Sequence, residues 1–138
     1  CIEAPAIFKR DGKYYWMASS VAWWYSSATS WSVADRLEGP WAPFKKMGSS
    51  YPASHPLARQ ALIDSYNSQH DFVVDVKGTE GRFFLFCGDR YSNFTTFGVG
   101  RAVWLPLQFK EDVPFLDWYP TWEVDAVRGT WSPGKEKP

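Results

Sequence analysis

Glu3 places a lone carboxyl group at the mouth of an apolar hairpin, with Ile2, Ala4 and Pro5 around it. A carboxyl group partly withdrawn from water keeps its proton more readily and can hand it to a leaving group. The plainer reading is a solvated glutamate at a strand end. A second polar cluster, Asn67-Ser68-Gln69-His70-Asp71, opens another hairpin, and Asp89-Arg90 closes it. Arg90 could donate a forked pair of hydrogen bonds to hydroxyl groups or hold a carboxylate, and an ordinary strand-end ion pair is equally open. Strand alternation sends Gln69 and Asp71 to one face and His70 to the other. Trp23 and Trp24 sit in the loop from Ser19 to Tyr25. An exposed indole face there suits the C–H side of a sugar ring, with plain packing as the alternative for Trp24.

The elements that must position these groups are strands. Ala6-Ile7-Phe8 runs to a turn at Arg10-Asp11-Gly12 and returns through Tyr14-Tyr15-Trp16-Met17. The pattern repeats in Phe72 to Val76, the turn Lys77 to Gly81, and Arg82 to Cys87. Aligning Gly12 with Gly81 gives a repeat of 69 positions, and a second turn longer by three residues would align Glu3 with Gln69. Each hairpin is followed by more strand-like sequence. Ser30 to Ala34 reads as a third strand, Glu38-Gly39-Pro40 as a turn and Trp41 to Phe44 as a short fourth strand. In the second unit Gly100 to Trp104 and Thr121 to Val124 take those places. No segment has the spacing of a long amphipathic helix. The expected architecture is all-β, about two four-stranded antiparallel blades of a propeller, with a small β-sandwich as the alternative. Two blades cannot close a ring, so the remainder of the propeller is expected as a partner of this chain.

Composition excludes several partners. Fifteen basic residues balance fifteen acidic ones, which leaves no electrostatic footprint for nucleic acid or an anionic membrane. No apolar run approaches bilayer length. Cys1 and Cys87 are too few for a disulfide scaffold and lack metal-ligand spacing, and Cys87, inside an apolar strand, reads as a buried free thiol. Nine Trp, seven Tyr and ten Phe are more than enough to fill the space between wide sheets, so most are core by default.

The run from Glu3 to Lys9, then Gly12-Lys13-Tyr14-Tyr15, then Gly39-Pro40-Trp41, resembles the third-blade region of glycoside hydrolase family 43, a family of five-bladed β-propellers. Asn67-Ser68-Gln69, Gly88-Asp89-Arg90 and Val103 to Leu107 are similar to its branch of exo-β-1,3-galactanases. The resemblance runs from Glu3 to about Trp122. It implies a partial propeller glycosidase domain over 1–130, with one blade at about 1–66 and the next at 67–130, and a tail at 131–138. It implies an inverting hydrolase of β-1,3-galactan or a related plant cell-wall polysaccharide, secreted to the cell exterior, present here without its N-terminal blades and inactive as an isolated piece. An arabinan- or xylan-cleaving member of the family and a non-catalytic carbohydrate-binding propeller are the alternatives.

By the same resemblance Glu3 is the general acid. The usual family base, an early Asp, is not in this chain, and Gln69 matches the residue implicated in that role in the galactanase branch, as a water-positioning or base-like group. A contact to substrate hydroxyls alone is the alternative for Gln69. Trp24, Asp89 and Arg90 are expected to contact sugar. No cofactor and no catalytic metal are implied. Some family members hold a calcium ion near the axis with help from a histidine, which leaves His70 as a neighbour of a structural calcium or as a purely structural residue. Ala22-Trp23-Trp24 departs from a family Thr-Gly-Trp pattern and crowds a place where glycine gives room. The connection from Lys46 to Asp64 is long for a compact domain and reads as a rim loop. Asn93-Phe94-Thr95 is a glycosylation sequon compatible with secretion, and the charged residues from Gly134 to Pro138 are expected to fray.

Overall fold

A computed structural model describes residues 1–50, 64–90 and 100–135. Every element bounded within them is a strand. The first sheet holds β1 (Ile2–Arg10), β2 (Lys13–Ser20), β3 (Ser30–Ala34) and β4 (Lys45–Lys46), antiparallel and in sequence order. The second holds β6 (Gln69–Lys77), β7 (Arg82–Arg90), β8 (Arg101–Lys110) and β9 (Val113–Asp117), again antiparallel. A short strand, β5 (Gly48–Ser50), adds to the outer edge of β9 in parallel. A separate hairpin pairs β10 (Trp122–Asp125) with β11 (Thr130–Pro133). The expected all-β pair of four-stranded antiparallel sheets is thus what the chain forms.

The two hairpins that lead the sheets fold as their sequences dictate. Arg10 pairs with Lys13 across a two-residue turn in which Asp11 and Gly12 both have positive φ, the conformation that matches the twist of a hairpin. Aromatic residues alternate across the strands. Tyr15 and Met17 of β2 face inward with Phe8 and Trp31, and meet Phe84, Phe86, Val103, Leu105, Leu107 and Leu116 of the second sheet. Phe8 and Phe84 lie with ring centroids 4.8 Å apart at the centre of this seam. The innermost strands β1 and β6 lie side by side. On the far side of β7, Phe83, Leu85 and Cys87 are covered by Trp122 and Trp131 of the β10–β11 hairpin.

Both fourth strands differ from the sequence expectation. Trp41 to Phe44 is irregular, and Lys45–Lys46 forms the strand instead. The cis Gly39–Pro40 bond and Pro43 flank residues that meet β3 at Ala42, whose N–H donates to the Val33 carbonyl at 3.0 Å and whose carbonyl accepts from the Ser32 hydroxyl. In the second sheet the fourth strand is β9, while the residues from Trp122 pair with β11. Pro106 and Pro114 interrupt the apolar runs of β8 and β9 in the sequence, yet both are fully buried within those strands. Strand β11 continues to Pro133, beyond the expected start of the tail. The sequon at Asn93, residues 51–63 of the connecting loop and residues 136–138 of the tail lie outside the described residues.

Candidate active site

Two β-bulges shape the site. In β1, Ile2 pairs with Ser20 and Glu3 with Ser19, and the register then shifts before Ala6 pairs with Met17. Ala4, inside the bulge, has φ +48, a region an L-residue enters at a cost of roughly 1 kcal/mol or more. In β6, Gln69 pairs with Asp89 and His70 with Gly88, and the register shifts at Asp71 before Phe72 pairs with Cys87. Bulges turn side chains away from simple alternation. Gln69 and His70 lie ahead of this shift, however, pairing with Asp89 and Gly88, and keep the period-two alternation, with the His70 ring packed on Phe86 and Asp71 on the side of Asp89. All three line one pocket.

That pocket, of about 420 Å³, opens between the ends of β1, β2, β6 and β7 and the loop after β2. Glu3, Gln69, Asp71 and Asp89 are its polar wall, His70 is at its base, and Val21, Trp23 and Trp24 form its rim. Trp23, at φ +54, is 79% exposed and Trp24 54% exposed, so both indoles are open to a ligand.

Glu3 and Gln69 meet directly. The Gln69 Nε2 donates to Glu3 Oε1 at 2.8 Å and to the Ser20 carbonyl at 3.1 Å. The four-residue turn at Gly78 to Gly81 exceeds the two-residue turn at Asp11-Gly12 by two residues, not three. Counted along the return strands, Glu3 therefore stands level with His70, and Gln69 lies one pair further along and reaches across.

The approach to Gln69 is built with unusual backbone. Ser65, Tyr66 and Asn67 all have positive φ, a left-handed turn of three non-glycine residues. Buried contacts compensate. Tyr66 is fully buried and its hydroxyl donates to the Leu116 carbonyl at 2.7 Å. Ser65 Oγ accepts from the Thr29 N–H at 2.9 Å, and the Ser68 N–H donates to the Asp64 carbonyl at 2.9 Å. The Arg90 guanidinium donates to the Tyr66 and Asn67 carbonyls. Arg90 is thus not among the residues that line the pocket. Its fork is spent on the turn that delivers Gln69, and its guanidinium also lies over the Trp118 ring at 5.9 Å. Gly88 completes this packing, because a Cβ there would meet Ser68 Oγ at 2.8 Å, the Phe86 ring at 3.0 Å and the Gln69 carbonyl at 3.1 Å.

The electrostatics follow from burial. His70 is 1% exposed, and burial pushes its pKa down to about 4. The Ala4 backbone pulls weakly the other way without meeting hydrogen-bond geometry, and among the described residues neither ring nitrogen has a hydrogen-bond partner. Asp71 is held above the usual carboxylate range, first by desolvation and then by the charge of Asp89. Cys87, behind the pocket, has its thiol pushed up to about 12 by burial, with Asp71 and Asp89 adding to it. Among the described residues no group of three or more His, Cys, Asp or Glu could hold a metal ion.

No protein-family model matches the chain, and no curated protein sequence does. Solved structures do. The structures it resembles are glycoside hydrolases of family 43, the same family that the motifs resemble. An exo-β-1,3-galactanase from Clostridium thermocellum superposes with a TM-score of 0.82 at 27% identity, over 99% of this chain and 27% of that one. An exo-β-1,3-galactanase from Phanerochaete chrysosporium, crystallised with β-1,3-galactotriose, gives 0.74 at 27% identity, over 96% of this chain and 27% of that one. A structure described as a putative exo-β-1,3-galactanase from Bifidobacterium bifidum gives 0.67 at 32% identity, over 92% and 39%. The chain therefore spans about a quarter of the length of the first two.

Proposed function

We propose that this chain is the acid-bearing portion of an inverting family 43 glycoside hydrolase that acts on β-1,3-galactan or a related plant cell-wall polysaccharide. The observation that carries this reading is the Glu3 carboxyl group, fixed by Gln69 in a pocket with a tryptophan rim, within a chain that is similar along nearly its whole length to exo-β-1,3-galactanases. Glu3 protonates the departing glycosidic oxygen, and water attacks the opposite face of the sugar. Trp24 packs on the C–H face of a galactosyl ring, and Asp89 accepts from its hydroxyls. Arg90 acts at one remove, through the turn before Gln69.

The remainder of the propeller supplies the other walls of the site. Exposed Ile2 and Ile7 favour a further sheet against the outer face of the first. The full-length protein is secreted and meets its polysaccharide outside the cell. The test is Glu3→Gln in that protein. Hydrolysis of β-1,3-galactan is expected to fall at least about 10²-fold, the least a general acid commonly contributes, while circular dichroism stays unchanged. Near-normal hydrolysis by this variant would refute the assignment.

A further inference from the structure

We infer that Trp23 is a second sugar platform, which takes the galactosyl unit next to the one that Glu3 and Trp24 engage. The inference rests on the reading of the pocket as a galactan site and gives Trp23 a separate place in it.

Residue type and backbone conformation disagree at Trp23. The Tyr25 N–H donates to the Ala22 carbonyl at 3.1 Å and closes a four-residue turn whose central pair is Trp23 and Trp24. Of that pair only Trp23 has a positive φ, +54. A turn with a positive φ at its first central position alone favours glycine there, as in the II′ type, because a Cβ crowds the following carbonyl. A bulky residue in that conformation is an outlier. Such strain persists where the surroundings or a function sustain it. Packing within this chain does not sustain it. Among the described residues Trp23 is the most exposed large hydrophobic side chain, at 79%.

The loop that carries this ring is nevertheless held firmly at its base. The Ser20 N–H donates to Ser27 Oγ at 3.3 Å, which ties the two ends of the loop together. The Ser27 N–H donates to the Ser68 carbonyl at 3.1 Å, and the Gln69 amide donates to the Ser20 carbonyl at 3.1 Å, so both ends are tied to the second sheet as well. The indole at the tip is therefore presented by an anchored backbone, on the rim of the pocket that holds Glu3. An exposed aromatic ring with only two χ angles to fix makes contacts at low entropic cost, and tryptophan is among the residues that most often dominate binding. Its flat face matches the C–H side of a pyranose. With His70 at the base of the pocket and the two tryptophans at its rim, a sugar chain with one unit at Glu3 leads its next unit outward over the rim. Trp24, 54% exposed, is the less open of the two indoles and belongs to the unit at Glu3, which leaves Trp23 for the next.

Dependence on chain length tests this placement. In the full-length protein carrying Glu3→Gln, which leaves the sugar uncut, binding of galactose and of β-1,3-galactotriose is measured by calorimetry with and without Trp23→Gly. Glycine suits the turn and removes the platform. The expected result is a loss of about tenfold in affinity for galactotriose, the scale of one well-packed aromatic contact, with less than about twofold change for galactose. Trp23→Tyr, which keeps an aromatic face, is expected to retain most of the galactotriose affinity. The urea midpoint of Trp23→Gly is expected to be unchanged or higher, because glycine relieves the turn. Equal losses on both sugars would place Trp23 on the reacting unit, and unchanged affinity for galactotriose would remove it from binding. Either result overturns the inference, as does a lower urea midpoint, which would make the ring a support of the fold. If the Glu3→Gln protein binds neither sugar before Trp23 is changed, the galactan reading falls first and this inference falls with it.

Discussion

His70 makes the folded protein sensitive to acid in a calculable way. Its imidazole takes up a proton near pH 6.5 in the unfolded chain but only near pH 4 when folded, because burial disfavours the charged ring. Between these values the unfolded chain binds more protons than the folded one. Stability therefore rises with pH across this window and is lost as pH falls through it. The gap of about 2.5 pH units corresponds to about 3 kcal/mol, a large share of the stability of a domain of this size. Glu3, Asp71 and Asp89 line the same pocket, so the effect must be isolated by difference. His70→Leu removes the titrating group and fills the space against Phe86, whose ring centroid is 5.4 Å from that of the imidazole. Urea unfolding of both proteins at pH 7, 5.5 and 4 is expected to show the original losing about 3 kcal/mol more than the variant between the extremes. Parallel pH dependences would refute the account of a buried, neutral His70.

Two other outcomes follow from the packing. Gly88→Ala is expected to destabilise the protein by about 1–3 kcal/mol in chemical denaturation and to lower galactan turnover, because the added methyl group pushes on Ser68 and the Gln69 backbone. Cys1 is exposed, whereas Cys87 is buried with its thiol raised to about 12. At pH 7.5 iodoacetamide is therefore expected to modify Cys1 alone, and mass spectrometry should find label on Cys87 only after denaturation.

The lead hairpins were legible because local chemistry and long-range packing agree in them. Asp11-Gly12 supplies two residues tolerant of positive φ, and aromatic alternation through Tyr15 and Met17 marks the face that becomes the core. The fourth strands were not legible. Trp41 to Phe44 has the composition of a strand but follows Pro40 and contains Pro43, whereas Lys45–Lys46 has little strand propensity and pairs with Ser30 and Trp31. The proline within β9 disguised a buried strand in the same way. At the site, the family resemblance pointed to Glu3 and Gln69, and their place in a loop pointed to Trp23 and Trp24. Their geometry could not be read, because a β-bulge is a choice between registers that differ by one residue and leaves no compositional mark. Arg90 shows the same limit. Its fork was recognisable in the sequence, but the left-handed turn that occupies it arises from long-range contacts with Thr29 and Leu116.

A single residue, the buried Met47, separates β4 at the rim of the first sheet from β5 at the rim of the second. The two sheets are thus sewn together at their outer margin as well as pressed together along their shared seam. A wedge stitched at its broad end cannot splay at its narrow end without tearing the stitch. The contact of Glu3 with Gln69 at that narrow end thus has a counterpart at the outer margin in the backbone pairs of β5 with β9, where Gly48 pairs with Phe115.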